Sequence, residues 1–377
     1  MSDELKSPKV EDLVKVALRE AMEKRKKSAD IGMEHSLAIE EVDGKPTIVE
    51  VPTAVVLPSK PIPKADNQIY FSDIVKGGTA QDFAVSCFKD YSWNLAIASF
   101  VPEIDKQYII DPQLASSILK AWELDEKVLC YGPTGAGKSS LIEQLCAHTY
   151  RPYIRVNCTG DMDSSMIFGQ LTAKDGSTHW VDGVVTEAVR HGAVFAWDEW
   201  DVTPAEISMG LQWLLEDNGK LFLKEMPGSA KDKMISTHEF FRIVAIGNTQ
   251  GQGDDTGAHA GTNVQNSATL DRFGTCVYVD YLPSTVEEKM IKSKWGHVVS
   301  PKAAKELVKL ANLIRQGYKA GQFNLTFSPR TLFSICRKLG NGDTLLQAYT
   351  LAYLNKLNDT QRKVASELFT KIYGTTV

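Results

Sequence analysis

The chain has 377 residues, a net charge of −5, and 43% hydrophobic against 24% charged side chains. That length allows more than one domain with a sizeable core, and the composition is that of a soluble globular protein. The acidic balance argues against a dominant nucleic-acid-binding surface, though not against a local basic channel. The 6 cysteines show no C-x-x-C pairing and no metal-ligand spacing, which reads as free thiols in a reducing compartment. The N-terminus has no apolar signal core, and no stretch approaches ~18 uninterrupted apolar residues, so no membrane segment and a cytoplasmic location are expected.

In chain order, residues 8–27 carry a helical stripe of Val10, Leu13, Val14, Ala17, Leu18, Ala21 and Met22. Its basic end, residues 24–27, suits either a solvated helix C-terminus or a partner-docking face. Two β-rich runs, 37–39 and 47–51, flank Asp43-Gly44 and predict a hairpin. Pro52, Pro58, Pro61 and Pro63 then mark an extended linker, so 1–64 reads as a small module on a tether. Residues 111–122 begin with an Asp cap and predict a helix leading to the next strand.

That strand opens KVLCYGPTGAGKSS, residues 127–140. A short apolar run breaks at Gly132-Pro133, passes Gly135 and Gly137, and enters a helical pattern at Ser139. This is G-x-x-x-x-G-K-[ST] with the strand before and helix after that the motif requires. Its glycines let backbone N–H groups turn onto phosphate oxygens, and the helix N-terminus adds partial positive charge. Gly132, Pro133, Thr134, Gly135, Ala136, Gly137, Lys138, Ser139 and Ser140 are therefore the candidate triphosphate-binding residues. Lys138 would reach the β/γ-phosphates and Ser139 would ligate Mg²⁺.

Strands and helices continue to alternate, predicting a parallel sheet. Residues 153–157 form a second strand, and 193–197 a third that ends in Asp198-Glu199. Asp198 would hold Mg²⁺ opposite Ser139, directly or through water, and Glu199 would polarise the attacking water as general base. A fourth strand, 241–246, ends in Gly247-Asn248-Thr249; Asn248 either caps a turn or senses the γ-phosphate. Arg272 precedes a β-rich run at 276–279 and is either half of a surface pair with Asp271 or an arginine finger for a neighbouring subunit. Ser328-Pro329-Arg330 opens a helix in a mostly helical C-terminal region, placing Arg330 to read nucleotide from a lid.

Phosphate loop, Asp-Glu strand, strand-end Asn, trailing Arg and lid Arg, in that order, resemble an AAA+ ATPase. Residues 161–192, with turn signals at Asp175-Gly176 and Asp182-Gly183, look like the helix-2 insertion of the MoxR and chelatase branch. Residues 219–241 look like the β-hairpin before the first sensor in that branch. The stretch 241–283, with 101–113 and Trp197-Asp198-Glu199-Trp200-Asp201, is similar to the ATPase subunit of aerobic cobaltochelatase, the CobS type. The resemblance implies an α/β fold: an AAA+ P-loop core with a parallel sheet flanked by helices at 65–283, and a helical lid at 284–377. It also implies Mg²⁺-dependent ATP hydrolysis, a homo-hexameric ring, and a CobT-like partner with a von Willebrand A (adhesion-type) domain. Two other classes of function are weighed against this. A nucleotide-gated assembly scaffold would need the same loop; a nucleic-acid motor is disfavoured by the absence of aromatic-interleaved basic stripes.

Overall fold

A hairpin forms around Asp43-Gly44 as the sequence predicts. β1 (His35–Val42) and β2 (Lys45–Pro52) pair antiparallel, with Val42 opposite Lys45. The computed structural model describes residues 35–42, 45–52, 68–75, 82–174, 176–251, 253 and 265–374. The expected helix over 8–27, most of the proline linker and most of residues 251–264 lie outside them. The hairpin belongs to a unit of its own, and the remaining elements belong to a second.

The second unit starts with β3 (Gln68–Tyr70), α1 (Phe71–Ile74), β4 (Ala84–Ser86), which pairs with β3, and α2 (Leu95–Ala98). Next comes α3 (Pro112–Glu123). The Asp111 carboxylate accepts the N–H groups of Gln113 and Leu114, at 2.9 and 3.0 Å, and Pro112 costs nothing at a position whose N–H has no partner in the helix. β5 (Val128–Tyr131) leads through the phosphate loop to α4 (Lys138–Thr149), and then come β6 (Tyr153–Asn157) and α5 (Ser164–Phe168). β7 (Gly169–Lys174) and β8 (Ser177–Asp182) form the first inserted hairpin, followed by α6 (Val184–His191), β9 (Val194–Asp198) and α7 (Ala205–Gln212). β10 (Lys220–Phe222) and β11 (Met234–Ser236) form the second hairpin, ahead of β12 (Arg242–Gly247), α8 (Ser267–Leu270) and β13 (Thr275–Tyr278).

β5, β6, β9, β12 and β13 make one parallel sheet in the order β13-β5-β12-β9-β6. β9 is buried at every residue and β12 at all but its first, which is why both read as continuous apolar runs rather than alternating ones. The third, fourth and fifth core strands each differ by one residue from expectation, because the pairing reaches Asp198 and Gly247 and starts at Thr275. The turn signal at Asp175-Gly176 joins β7 to β8. The one at Asp182-Gly183 is not a hairpin turn: it ends β8, and Gly183 is the N-cap of α6.

The C-terminal region is helical: α9 (Ser284–Trp295), α10 (Pro301–Lys319), α11 (Pro329–Gly340), α12 (Leu345–Ala352) and α13 (Asp359–Tyr373). It has its own core, in which Ile291, Leu307, Ile314, Phe327, Leu332, Tyr349 and Phe369 are buried together. α11 starts at Pro329 with Ser328 as N-cap, as the Ser-Pro-Arg triplet predicts. No helix among the described residues is long and apolar enough to cross a membrane.

Candidate nucleotide site

Parallel register brings distant residues to one edge of the sheet. Tyr131 pairs with Gly247, Ile246 with Asp198, and Asp198 with Asn157, so β5, β12, β9 and β6 end level with one another. The phosphate loop, Glu199 and Asn248, each just past a strand end, therefore share the carboxyl-end crevice where open α/β sheets bind ligands.

The loop geometry depends on glycine. Gly132 lies at φ 148°, and a Cβ there would come within 2.1 Å of the Val279 carbonyl oxygen. Gly135, at φ 74°, leaves room for Ser328: an added Cβ would lie 2.6 Å from that residue's own Cβ. The loop is thus pressed against Val279, just past β13, on one side and the start of α11 on the other.

Lys138 Nζ donates to the carbonyls of Gly132 (2.7 Å) and Pro133 (3.1 Å) and to Asn248 Oδ1 (3.0 Å). The other end of the same amide, Asn248 Nδ2, donates to Glu199 Oε2 at 2.9 Å. Thr134 Oγ1 also reaches Asn248 Oδ1, at 3.3 Å. Asn248 therefore bridges the phosphate-loop lysine and the candidate base. Ser139 Oγ donates to Asp198 Oδ2 at 2.8 Å, and the Glu199 N–H donates to Asp198 Oδ1 at 3.0 Å.

Burial pushes the Lys138 amine below the usual lysine range, against the pull of Glu199, Asp198 and Asp201. Burial, together with the charges of Asp198 and Asp201, raises the Glu199 carboxyl above the usual range, against the opposing effect of Lys138 and Arg155. Glu199 also has a left-handed backbone, φ 54°, a conformation non-glycine residues adopt chiefly where surroundings impose it.

Ser139 and Asp198 fit the expected Mg²⁺ role. Two hard oxygen donors meet at one point beside the phosphate loop, the set that binds Mg²⁺ together with nucleotide phosphates and water. Among the described residues no group of three His, Cys, Asp or Glu side chains could hold a metal by itself.

The structure brings Arg330 to the site and leaves Arg272 outside it. Arg330 lines a cavity of about 280 Å³ with Tyr108, Ile109, Gly137, Ser140 and Met290. Arg272 instead pairs with Glu216, Nε to Oε1 at 2.5 Å, and also donates to the Ala268 carbonyl. Its acidic partner is Glu216 rather than the adjacent Asp271.

Three contributors escaped sequence reasoning. Arg155, on the edge strand β6, contacts Asp198 Oδ2 through Nε at 2.6 Å and Nη2 at 2.5 Å. Asp201 anchors the backbone after β12. Tyr281 donates its hydroxyl to the Thr134 carbonyl at 2.9 Å and lies 3.0 Å from Thr326 Oγ1. The Arg315 guanidinium sits 4.1 Å over the Tyr281 ring and is held by Glu287 through two bonds of 2.8 Å. A side chain two residues from a strand end is a signal that could have marked Arg155; for Tyr281 the sequence holds none.

A phosphate loop at one strand end, an Asp-Glu pair at the next but one, and an asparagine between them make the arrangement of a P-loop nucleotide site. Residues 127–273 match the AAA domain of the dynein-related subfamily. It is similar to the aerobic cobaltochelatase subunit CobS of Sinorhizobium sp, 28% identical over 283 residues that cover 73% of this chain and 84% of that protein. Midasin of Dictyostelium discoideum is 29% identical over 224 residues, 57% of this chain but 4% of that far longer one. A RuvB variant from Thermotoga maritima aligns over 70% of this chain and 76% of its own, at 16% identity and a TM-score of 0.41.

Proposed function

We propose that this chain hydrolyses Mg²⁺-ATP at a site shared between neighbours in a homo-hexameric ring, and that hydrolysis drives remodelling of a partner protein. The observation that carries the hydrolytic part is the Asn248 bridge between Lys138 and Glu199. It ties the group that binds phosphate to the group that activates water. Bound Mg²⁺ would be held by Ser139 and Asp198 and would neutralise charge developing between the β- and γ-phosphates. Glu199 would take the proton of the attacking water, its raised carboxyl being a better base than an ordinary one. Arg330 approaches the same nucleotide from α11, and Arg272 would be supplied to the next subunit.

The similarity to CobS supports a chelatase-type or MoxR-type assembly, with a CobT-like subunit bearing a von Willebrand A domain as the partner class. In that arrangement this chain contributes motion, and the partner contributes substrate recognition. The test compares ATP turnover of the full chain with that of Lys138→Ala. Turnover that depends on Mg²⁺ and drops by roughly two orders of magnitude or more in the variant supports hydrolysis at this loop. Equal turnover in both proteins would remove it. Capture of a partner by Glu199→Gln with ATP, and not with ADP, tests the remodelling role.

A further inference from the structure

Among the described residues, Asp201 is the one buried carboxylate at this edge of the sheet that ATP hydrolysis leaves without a part. It is 0% exposed and follows Glu199 by two residues, within the short 3-10 turn Trp200–Val202. No lysine or arginine pairs with it among the described residues. Among the described residues the partners of its carboxylate are all on the segment just past β12. Oδ2 accepts the backbone N–H of Asn248 at 3.2 Å, the N–H of Thr249 at 3.1 Å and the Thr249 hydroxyl at 2.9 Å. The Asp201 carbonyl accepts from Gln265 Nε2 at 3.3 Å, on the far side of the same loop. Gly247 lies directly on the neighbouring indole: a Cβ added there would be 2.6 Å from Trp200 Nε1.

This arrangement solves a specific problem. β12 ends at Gly247, so the N–H groups of Asn248 and Thr249 have no strand to pair with, and a buried unpaired N–H is costly. One carboxylate oxygen takes both and fixes where Asn248 starts. The Asn248 side chain must then present its oxygen to Lys138 and its nitrogen to Glu199 at once. A planar amide does both only while its Cα stays in place. Because Asp201 and Glu199 share one turn, the base and the anchor of the base's partner form a single element.

We propose that Asp201 is a positioning residue for hydrolysis, acting through Asn248; the proposal rests on the ATPase reading above. Its effect on turnover should therefore exist only while the Asn248 side chain exists. The experiment is a double-mutant cycle in the full chain with Asp201→Ala, Asn248→Ala and the double variant. It reads kcat for ATP, equilibrium binding of a fluorescent ATP analogue, and Tm. Asp201→Ala should lower kcat by on the order of 10–100-fold while analogue affinity changes by less than about threefold, since a displaced group near the chemistry costs rate before binding. In the Asn248→Ala background the same substitution should cost less than about twofold. Independent, multiplying losses would overturn the proposal, as would an unchanged kcat in Asp201→Ala. Asp201→Glu keeps the charge and shifts the oxygens by one methylene; if the Ala variant does not fold, it enters the same cycle under the same criteria. If wild type turns over ATP no faster than Lys138→Ala, the ATPase reading fails and not the positioning role alone.

Discussion

Glu199 shows how much a single residue here is shaped by its surroundings. It holds a left-handed backbone, a carboxyl raised first by burial and then by the charges of Asp198 and Asp201, and a bond to Asn248. Glu199→Gln keeps an oxygen for Asn248 to donate to but cannot take a proton. Turnover should fall by roughly 10²–10⁴-fold with ATP affinity and Tm nearly unchanged, measured by phosphate release, analogue binding and thermal melting. A variant that still turns over within a few-fold of wild type would show that another base serves. At this scale the sequence marked Lys138, Ser139, Asp198, Glu199 and Asn248 as candidates that the fold brings together, because each occupies a fixed offset from a strand end or glycine loop. Arg155, Asp201 and Tyr281 were not read, because their partners are 43, 47 and 147 residues away along the chain and only Arg155, two residues from a strand end, carries any local mark.

Among the elements, the core strands were readable from apolar runs, the β1–β2 and β7–β8 hairpins from Asp-Gly pairs, and the β10–β11 hairpin only from resemblance to the pre-sensor hairpin of the MoxR and chelatase branch. Their boundaries shifted by a residue because pairing with a neighbour, not propensity, decides where a strand stops. What the sequence could not show is how α9, α10 and α11 contact the phosphate loop. That contact runs through Tyr281, stacked under Arg315, with Arg315 locked to Glu287 and to the Phe327 carbonyl. Tyr281→Phe removes only the hydroxyl, so it should cost about 1 kcal/mol of stability while weakening ATP binding a few-fold. Glu287→Ala leaves a buried guanidinium unpaired and should cost about 3–5 kcal/mol, visible as a far larger fall in Tm. Equal effects of the two would mean that Tyr281 is mere packing. A second element-scale expectation concerns the turn before β12. His238 Nδ1 accepts the Phe240 N–H at 3.2 Å, and burial lowers the ring's pKa, against Glu239 and helped by His191. The folded pKa lies below the unfolded one, so the unfolded chain binds more protons as pH falls. The stability contributed is complete above the unfolded value near 6.5 and is lost as pH falls through the folded value. Between about pH 7.5 and 5.5, Tm should drop less in His238→Asn than in wild type. His148, also lowered by burial, keeps its own share in both proteins. Identical drops would exclude His238 as a contributor.

For the whole molecule, the proposed shared site turns on Arg272, which within the single chain lies outside the nucleotide site. Arg272 is tied to Glu216 by an ion pair whose side chains are 28% and 45% exposed, and a pair that accessible contributes only about 0–1 kcal/mol. An assembling neighbour that offers transferring phosphoryl charge would readily outcompete it. The adjacent Phe273 ring packs 5.6 Å from Trp200, edge to face, so the arginine's segment rests on the same turn that carries Glu199 and Asp201. A finger so placed would sense its own subunit's site while serving the next. Arg272→Ala should therefore lose about 10³-fold or more in kcat with ATP affinity intact. Mixing gives the sharper result. Glu199→Gln supplies an intact finger without a base, and Arg272→Ala supplies a base without a finger, so each is inactive alone. Co-assembled in equal amounts, about a quarter of head-to-tail interfaces would pair the intact base of one with the intact finger of the other. Turnover should recover to about that fraction of wild type once subunits exchange. If Arg272 acts within its own chain, or only holds Glu216, no interface is restored and the mixture stays as inactive as its parts.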